Sequence, residues 1–195
     1  MTGGLAQHRN ISLQTQGPFG EVTCLVNPEG ASLEGLRVGQ LEMIERFAEG
    51  TPRPLSAGVT LAPWPNRVRD GLWEWENRRY ELEITEPARH NAIHGLVTGR
   101  IFDEVALTDD RVTLRCRIED EQGYPFALDV EVEYRLSASG IIVVITVTNL
   151  GESRAPVALG AHPYLCVGDI PIRSLTLRSP VAAELPVDQQ MIPIS

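Results

Sequence analysis

His94 and His162 are the side chains best suited to proton transfer in this 195-residue chain. Imidazole has an ordinary pKa of ~6.5, so it can hold a proton and release it near neutral pH. His162 stands in Gly160-Ala161-His162-Pro163-Tyr164, and His94 in Asn91-Ala92-Ile93-His94-Gly95. A third segment, Ala62-Pro63-Trp64-Pro65-Asn66-Arg67-Val68-Arg69-Asp70-Gly71, adds an amide that both donates and accepts and a guanidinium with a fixed fork of donors. Each of these residues has a plainer reading. A lone histidine is more often a satisfied structural group or a solvated one, Asn-x-x-His-Gly could simply build a turn, and Arg67 could pair at the surface with Asp70 for ~0–1 kcal/mol.

Other chemistries have thinner support. His90 and His94 stand four apart, with Glu86 as a conceivable third zinc ligand, but the loop composition around them does not favour the helix that this spacing requires. Cys166 follows His162 by four residues, yet Pro163 intervenes and nothing orients the imidazole as its base. Glu74 and Glu76 share a face and could suggest a glycosidase pair, although a solvated strand face explains them better. His8 has no context that assigns it a role.

The elements that must position these residues are strands. Val112, Leu114, Cys116 and Ile118 alternate with Thr113, Arg115, Arg117 and Glu119, and Leu128, Val130, Val132, Tyr134 and Leu136 alternate with Asp129, Glu131, Glu133 and Arg135. This period of two predicts antiparallel strands with one buried and one wet face, joined as a meander. Ile141 to Val147 is apolar on both faces, which predicts a central strand covered on each side. Weaker signals place strands at Glu21 to Val26, Gln40 to Ile44, Phe102 to Leu107 and Ser174 to Arg178, and a hairpin over Trp73 to Leu82. No long helix is expected. Many short strands punctuated by Gly, Pro, Asn and Asp indicate an all-β, antiparallel β-sandwich or a related architecture in one domain spanning 1–195. Leu61 to Gly71, Glu86 to Gly99 and Leu159 to Asp169 break the alternation, and such loops carry function more often than cores do.

Composition narrows the partners. Acids outnumber bases 26 to 17, for a net charge of −9, which argues against nucleic acid. All the basic residues are arginine, so Schiff-base chemistry and lysine-bearing phosphate loops are excluded. The opening Met-Thr-Gly-Gly-Leu-Ala-Gln-His lacks the basic start and apolar stretch of a secretory signal, and no apolar run approaches membrane-spanning length. Three widely spaced cysteines read as reduced thiols of a cytoplasmic protein.

The three irregular segments together resemble the aldose 1-epimerases, which carry Pro-x-x-Asn-Arg, Asn-x-x-His-Gly and Gly-x-His-Pro-Tyr in this order and at similar separations. The resemblance extends through Gly123-Tyr124-Pro125 and Tyr134-Arg135-Leu136 to Asn149. It implies a galactose-mutarotase-like β-sandwich that binds a free aldohexose, galactose or glucose, and interconverts its α and β anomers by acid–base ring opening, without cofactor or metal. By this resemblance His162 is the general acid, and His94 orients the sugar or stabilises charge near the ring oxygen. Asn66 and Arg67 bind sugar hydroxyls, and Tyr164, with Trp64, presents ring faces to the sugar. The resemblance also places a further aspartate ligand and the catalytic glutamate beyond Ser195, so the domain is expected to lack its C-terminal part. A hexose-phosphate epimerase and a sugar-binding module without turnover are the alternatives.

Overall fold

The computed structural model describes residues 9–47, 54–178 and 185–194; His8 and the opening segment lie outside them. The described chain starts with a meander of β1 (Ile11–Gly17), β2 (Gly20–Asn27), β3 (Ser32–Val38) and β4 (Leu41–Glu42), paired in that order. Short strands follow: β5 (Thr60–Leu61), β6 (Arg67–Arg69), the hairpin of β7 (Leu72–Trp75) and β8 (Arg78–Glu81), and β9 (Asn91–Ile93). The β7–β8 hairpin turns at Glu76-Asn77, both left-handed at φ 49° and 62°, the geometry that matches the twist of the flanking strands. A second meander comprises β10 (Asp103–Leu107), β11 (Arg111–Ile118), β12 (Leu128–Ser137) and β13 (Gly140–Asn149), and β14 (Gly160–Ala161) closes the list of strands. The helical content of the described residues is two single 3₁₀ turns, Pro87–Arg89 and Ile172–Ser174. None of their helices is long and apolar enough to cross a membrane.

The two four-stranded sheets pack face to face, β1 and β2 over β11 and β12 and β3 over β13, giving the antiparallel sandwich expected from the alternation. Leu13, Val22, Cys24 and Val26 of one sheet meet Leu114, Ile118, Val130 and Val132 of the other. Removing side chains of this size from water stabilises the fold by about 1.5–3 kcal/mol each. Tyr134 is buried with them and donates its hydroxyl proton to the Ala31 carbonyl at 2.6 Å. The wet face of the second sheet carries cross-strand ion pairs, with Arg115 meeting Asp129 and Glu131.

Two strand assignments made from sequence are corrected. Ile141 to Val147 belongs to β13, but this strand lies at the edge of its sheet rather than at the centre. Register puts Ile141, Ile145 and Val147 on the core side, whereas Ile142 and Val144 point the other way and are exposed. Apolar character reports a tendency towards burial, and among the described residues nothing covers this face. Ser174 to Arg178 is not a strand: its first residue ends a 3₁₀ turn and the rest is irregular. Among the described residues, six strands lie outside those expected from the sequence: the two-to-three-residue β5, β6, β9 and β14, too short to show a period, and the longer β1 and β3. β1 offers only Ile11 and Leu13 as apolar members of its pattern, and β3 slips register where Leu25 and Val26 face Gly35 and Leu33, leaving Glu34 bulged and the period of two interrupted.

Candidate active site

Two short ladders bring the three irregular segments together. In the first, β6 pairs with β9 so that Arg67 faces Ile93, Val68 faces Ala92 and Arg69 faces Asn91. The connection tightens just beyond it, where His94 N–H donates to the Asn66 carbonyl at 2.8 Å and Leu96 N–H to the Ala62 carbonyl at 2.7 Å. Gly95 is required there: its φ is +81°, and a Cβ would sit 2.1 Å from the Ala62 oxygen. In the second ladder β14 pairs with β5, Gly160 facing Leu61 and Ala161 facing Thr60. His162 continues that pairing, donating its N–H to the Val59 carbonyl at 3.1 Å and accepting from Gly58 N–H at 2.8 Å.

The result is an open cleft of about 800 Å³, within the range of small-molecule sites. Asn66, Arg67, Glu86, His94 and His162 form its polar side, and Leu61, Pro65 and Ile93 contribute apolar surface. The rings of His94 and His162 are 5.2 Å apart, centroid to centroid, and nearly perpendicular at 78°. Tyr164 packs against the His162 ring at 5.6 Å and edge-on against Phe47 at 6.2 Å, beside the cleft rather than on its lining. Trp64 turns instead towards the core, 6.2 Å from the Tyr124 ring, so the structure does not place it where a sugar would stack.

The hydrogen bonds define the state of His94. Its Nδ1 accepts the Asn66 backbone N–H at 3.2 Å, and since an amide can only donate, the ring is neutral with its proton on Nε2. Burial holds the pKa of this imidazole below the ordinary histidine value, His162 and Arg67 push in the same direction, and Glu86 opposes them. Asn66 and His94 are both left-handed, at φ 61° and 65°, a conformation that costs energy in residues other than glycine and is held here by their reciprocal bonds. His162 takes no hydrogen-bond partner for its ring among the described residues; its ring contacts are His94 and Tyr164.

Arg67 does not pair with Asp70. Its guanidinium grips Glu86, with Nε to Oε2 at 2.7 Å and Nη2 to Oε1 at 2.8 Å, while Asp70 meets His90 Nδ1 at 3.0 Å. The Arg67 side chain bonded to it holds the Glu86 carboxyl down to about 2, well below the usual carboxylate range. Glu86, His90 and His94 are thus each engaged elsewhere, the backbone between them is a 3₁₀ turn rather than an α-helix, and no three potential metal-binding side chains cluster among the described residues. Cys166 directs its S–H to the Glu42 carbonyl, and burial raises its pKa, neither of which suits a nucleophile. Glu74 is exposed on β7 and Glu76 sits in the turn after it.

Glu86 is the cleft residue that the sequence brings forward only as a conceivable metal ligand. The signal was present in that an arginine drawn out of water needs a carboxylate, but Asp70 was the nearer candidate along the chain.

Comparison with known proteins gives a family and a fold. A sequence-family profile described as aldose 1-epimerase matches residues 13–195. The chain is 35% identical over 137 residues to the uncharacterized protein YihR of Escherichia coli strain K12, covering 70% of this chain and 44% of that protein. It is 30% identical over 145 residues to galactose mutarotase of Mus musculus, covering 70% and 40%. Among solved structures, the GalM/aldose epimerase homologue from C. elegans superposes with a TM-score of 0.73 at 18% identity, over 95% of this chain and 60% of that one. A putative aldose 1-epimerase from Escherichia coli K12 gives 0.67 at 20% identity, over 80% and 52%. The fold is therefore galactose-mutarotase-like, and the chain spans less than half the length of these curated relatives.

Proposed function

The chain is a member of the aldose 1-epimerase family, and from that premise we propose that its cleft binds a free aldohexose, galactose or glucose, and takes part in interconverting the α and β anomers. The observation that carries this reading is the meeting of His94, His162 and Arg67 in one cleft from three separate segments. In ring opening the anomeric hydroxyl loses a proton while the ring oxygen gains one, so the C1–O5 bond breaks to a carbonyl and a hydroxyl; rotation about C1–C2 and the reverse steps give the other anomer. His162 is assigned as the acid that protonates the ring oxygen. His94, neutral and carrying its proton on Nε2, donates a hydrogen bond to the sugar and adds no charge. Arg67 and Asn66 bind hydroxyls, and Tyr164 supports the His162 ring. Three cysteines free of disulfides fit a reducing compartment, for which the cytoplasm is our assignment.

A second reading, hexose binding without turnover, is favoured by one observation. Glu86 is the carboxylate on the lining of the cleft, and with its pKa near 2 and its oxygens committed to Arg67 it is a poor acceptor for the anomeric proton. Polarimetry of freshly dissolved α-galactose and α-glucose separates the two, run with the protein, with a His162→Ala variant and with buffer alone. Acceleration that disappears in the variant supports turnover. Saturable sugar binding by NMR, with mutarotation at the buffer rate, leaves the binding reading standing alone, and the absence of both defeats each of them.

A further inference from the structure

We propose that Glu86 is the positioning residue of the cleft, acting through Arg67 and Asn66 to set the orientation of His94; the proposal deepens the hexose reading and rests on it for its functional arm. The connection is continuous. Glu86 takes Arg67 Nε and Nη2, Arg67 Nη1 donates to Asn66 Oδ1 at 3.1 Å, and the Asn66 backbone N–H donates to His94 Nδ1. The Glu86 carboxylate thereby reaches the imidazole through two intervening residues, Arg67 and Asn66.

The carboxylate is saturated in this role. Besides the two bonds from Arg67, Oε1 accepts from Arg89 Nη1 at 3.0 Å and Oε2 from Asn91 Nδ2 at 3.0 Å. Both members of the pair are largely withdrawn from solvent, their side chains 16% and 15% exposed, so the charges are held where screening is weak. Of the five N–H donors of a guanidinium, three are spent on Glu86 and Asn66, leaving two for a ligand in the cleft. A lysine could not be held in this way, and neither could an arginine free to turn.

Local backbone geometry explains why Glu86 can do this. It precedes Pro87 at the start of a 3₁₀ turn and makes no side-chain cap to it, so its carboxylate is free to leave the turn. Reciprocal backbone bonds between Glu86 and Asn91 close residues 86–91 into a tight loop, which places the Asn91 amide against the same carboxylate. Asn91 is fully buried, and its Nδ2 also donates to the Gln190 carbonyl at 3.0 Å, tying the loop to the 185–194 segment.

The test uses the full 195-residue chain and three variants, Glu86→Gln, Arg67→Ala and the double change. In ¹H–¹⁵N spectra the Arg67 Nε–H should be a slowly exchanging, shifted signal in the parent protein and should vanish in Glu86→Gln. The Arg100 Nε–H, which donates to the Leu96 carbonyl, persists and shows that the fold is intact. Galactose affinity measured by titration should fall about tenfold in Glu86→Gln and in Arg67→Ala, with the double variant no worse than the single ones. A protected Arg67 signal in Glu86→Gln overturns the proposal, and so does unchanged galactose affinity in that variant where Arg67→Ala loses it. If the parent protein binds neither galactose nor glucose, the hexose reading falls, and the Arg67 signal by itself still upholds or overturns the anchoring by Glu86.

Discussion

The sandwich core and the cleft are held by opposite means. In the core, Leu114, Ile118, Val130 and Val132 are interchangeable in kind: each contributes by leaving water, and the contribution scales with area rather than with the identity of the neighbour. In the cleft, Glu86, Arg67, Asn66 and His94 are not interchangeable, because each bond needs a donor facing an acceptor in a set direction. The core is therefore tolerant of conservative exchange and intolerant of lost volume, whereas the cleft is intolerant even of exchanges that keep volume.

Stability measurements can break this contrast. The largest effect is expected for Leu114→Ala, a fully buried side chain between the sheets, which should lower unfolding free energy in denaturant by about 3 kcal/mol. A loss below about 1 kcal/mol would mean that the sheets do not pack as described.

Glu86→Gln conserves volume and should still cost about 2 kcal/mol at neutral pH, because it leaves Arg67 withdrawn from water without its counter-charge. The pH dependence identifies the cause. The folded Glu86 pKa is depressed to about 2 from an ordinary value of ~4.3, so its contribution is complete above that value and is lost as pH falls towards about 2. The gap in melting temperature between parent and variant should narrow over that window, and a gap independent of pH would assign the loss to shape rather than charge.

The smallest effect is expected for Val144→Thr on the exposed side of β13, within about 0.5 kcal/mol by the same denaturant assay. A loss of 2 kcal/mol or more would show that this face is covered in solution and would extend the rules of the core to it.

The same contrast decides what could be read from the sequence. Strands β11 and β12 were legible residue by residue because alternation is a property of residue types, and every apolar member of the two patterns is buried. β13 was half legible: its strand character was plain, but its cover depends on neighbours that its own residues do not encode. His94, His162, Asn66 and Arg67 were found through the segments that resemble a known family, and the structure brings them to one cleft. The bond between Glu86 and Arg67 was not legible, since Asp70 and Glu86 are equally good partners on paper and only the β6–β9 ladder decides between them. Trp64 was misplaced for a related reason: an aromatic in a loop can face inwards or outwards, and this one joins the Tyr124 cluster.

The β5–β14 ladder bears on the order in which the molecule assembles. It joins Leu61 to Gly160, positions 99 apart, whereas the β1–β2 and β11–β12 pairs connect neighbours along the chain. Closing so long a loop for two residue pairs returns little against its entropy until both sheets have already shortened the path. The histidine on one side of the cleft thus reaches the histidine on the other only near the end of folding, and a newly made chain passes through its hairpins before it has a site at all.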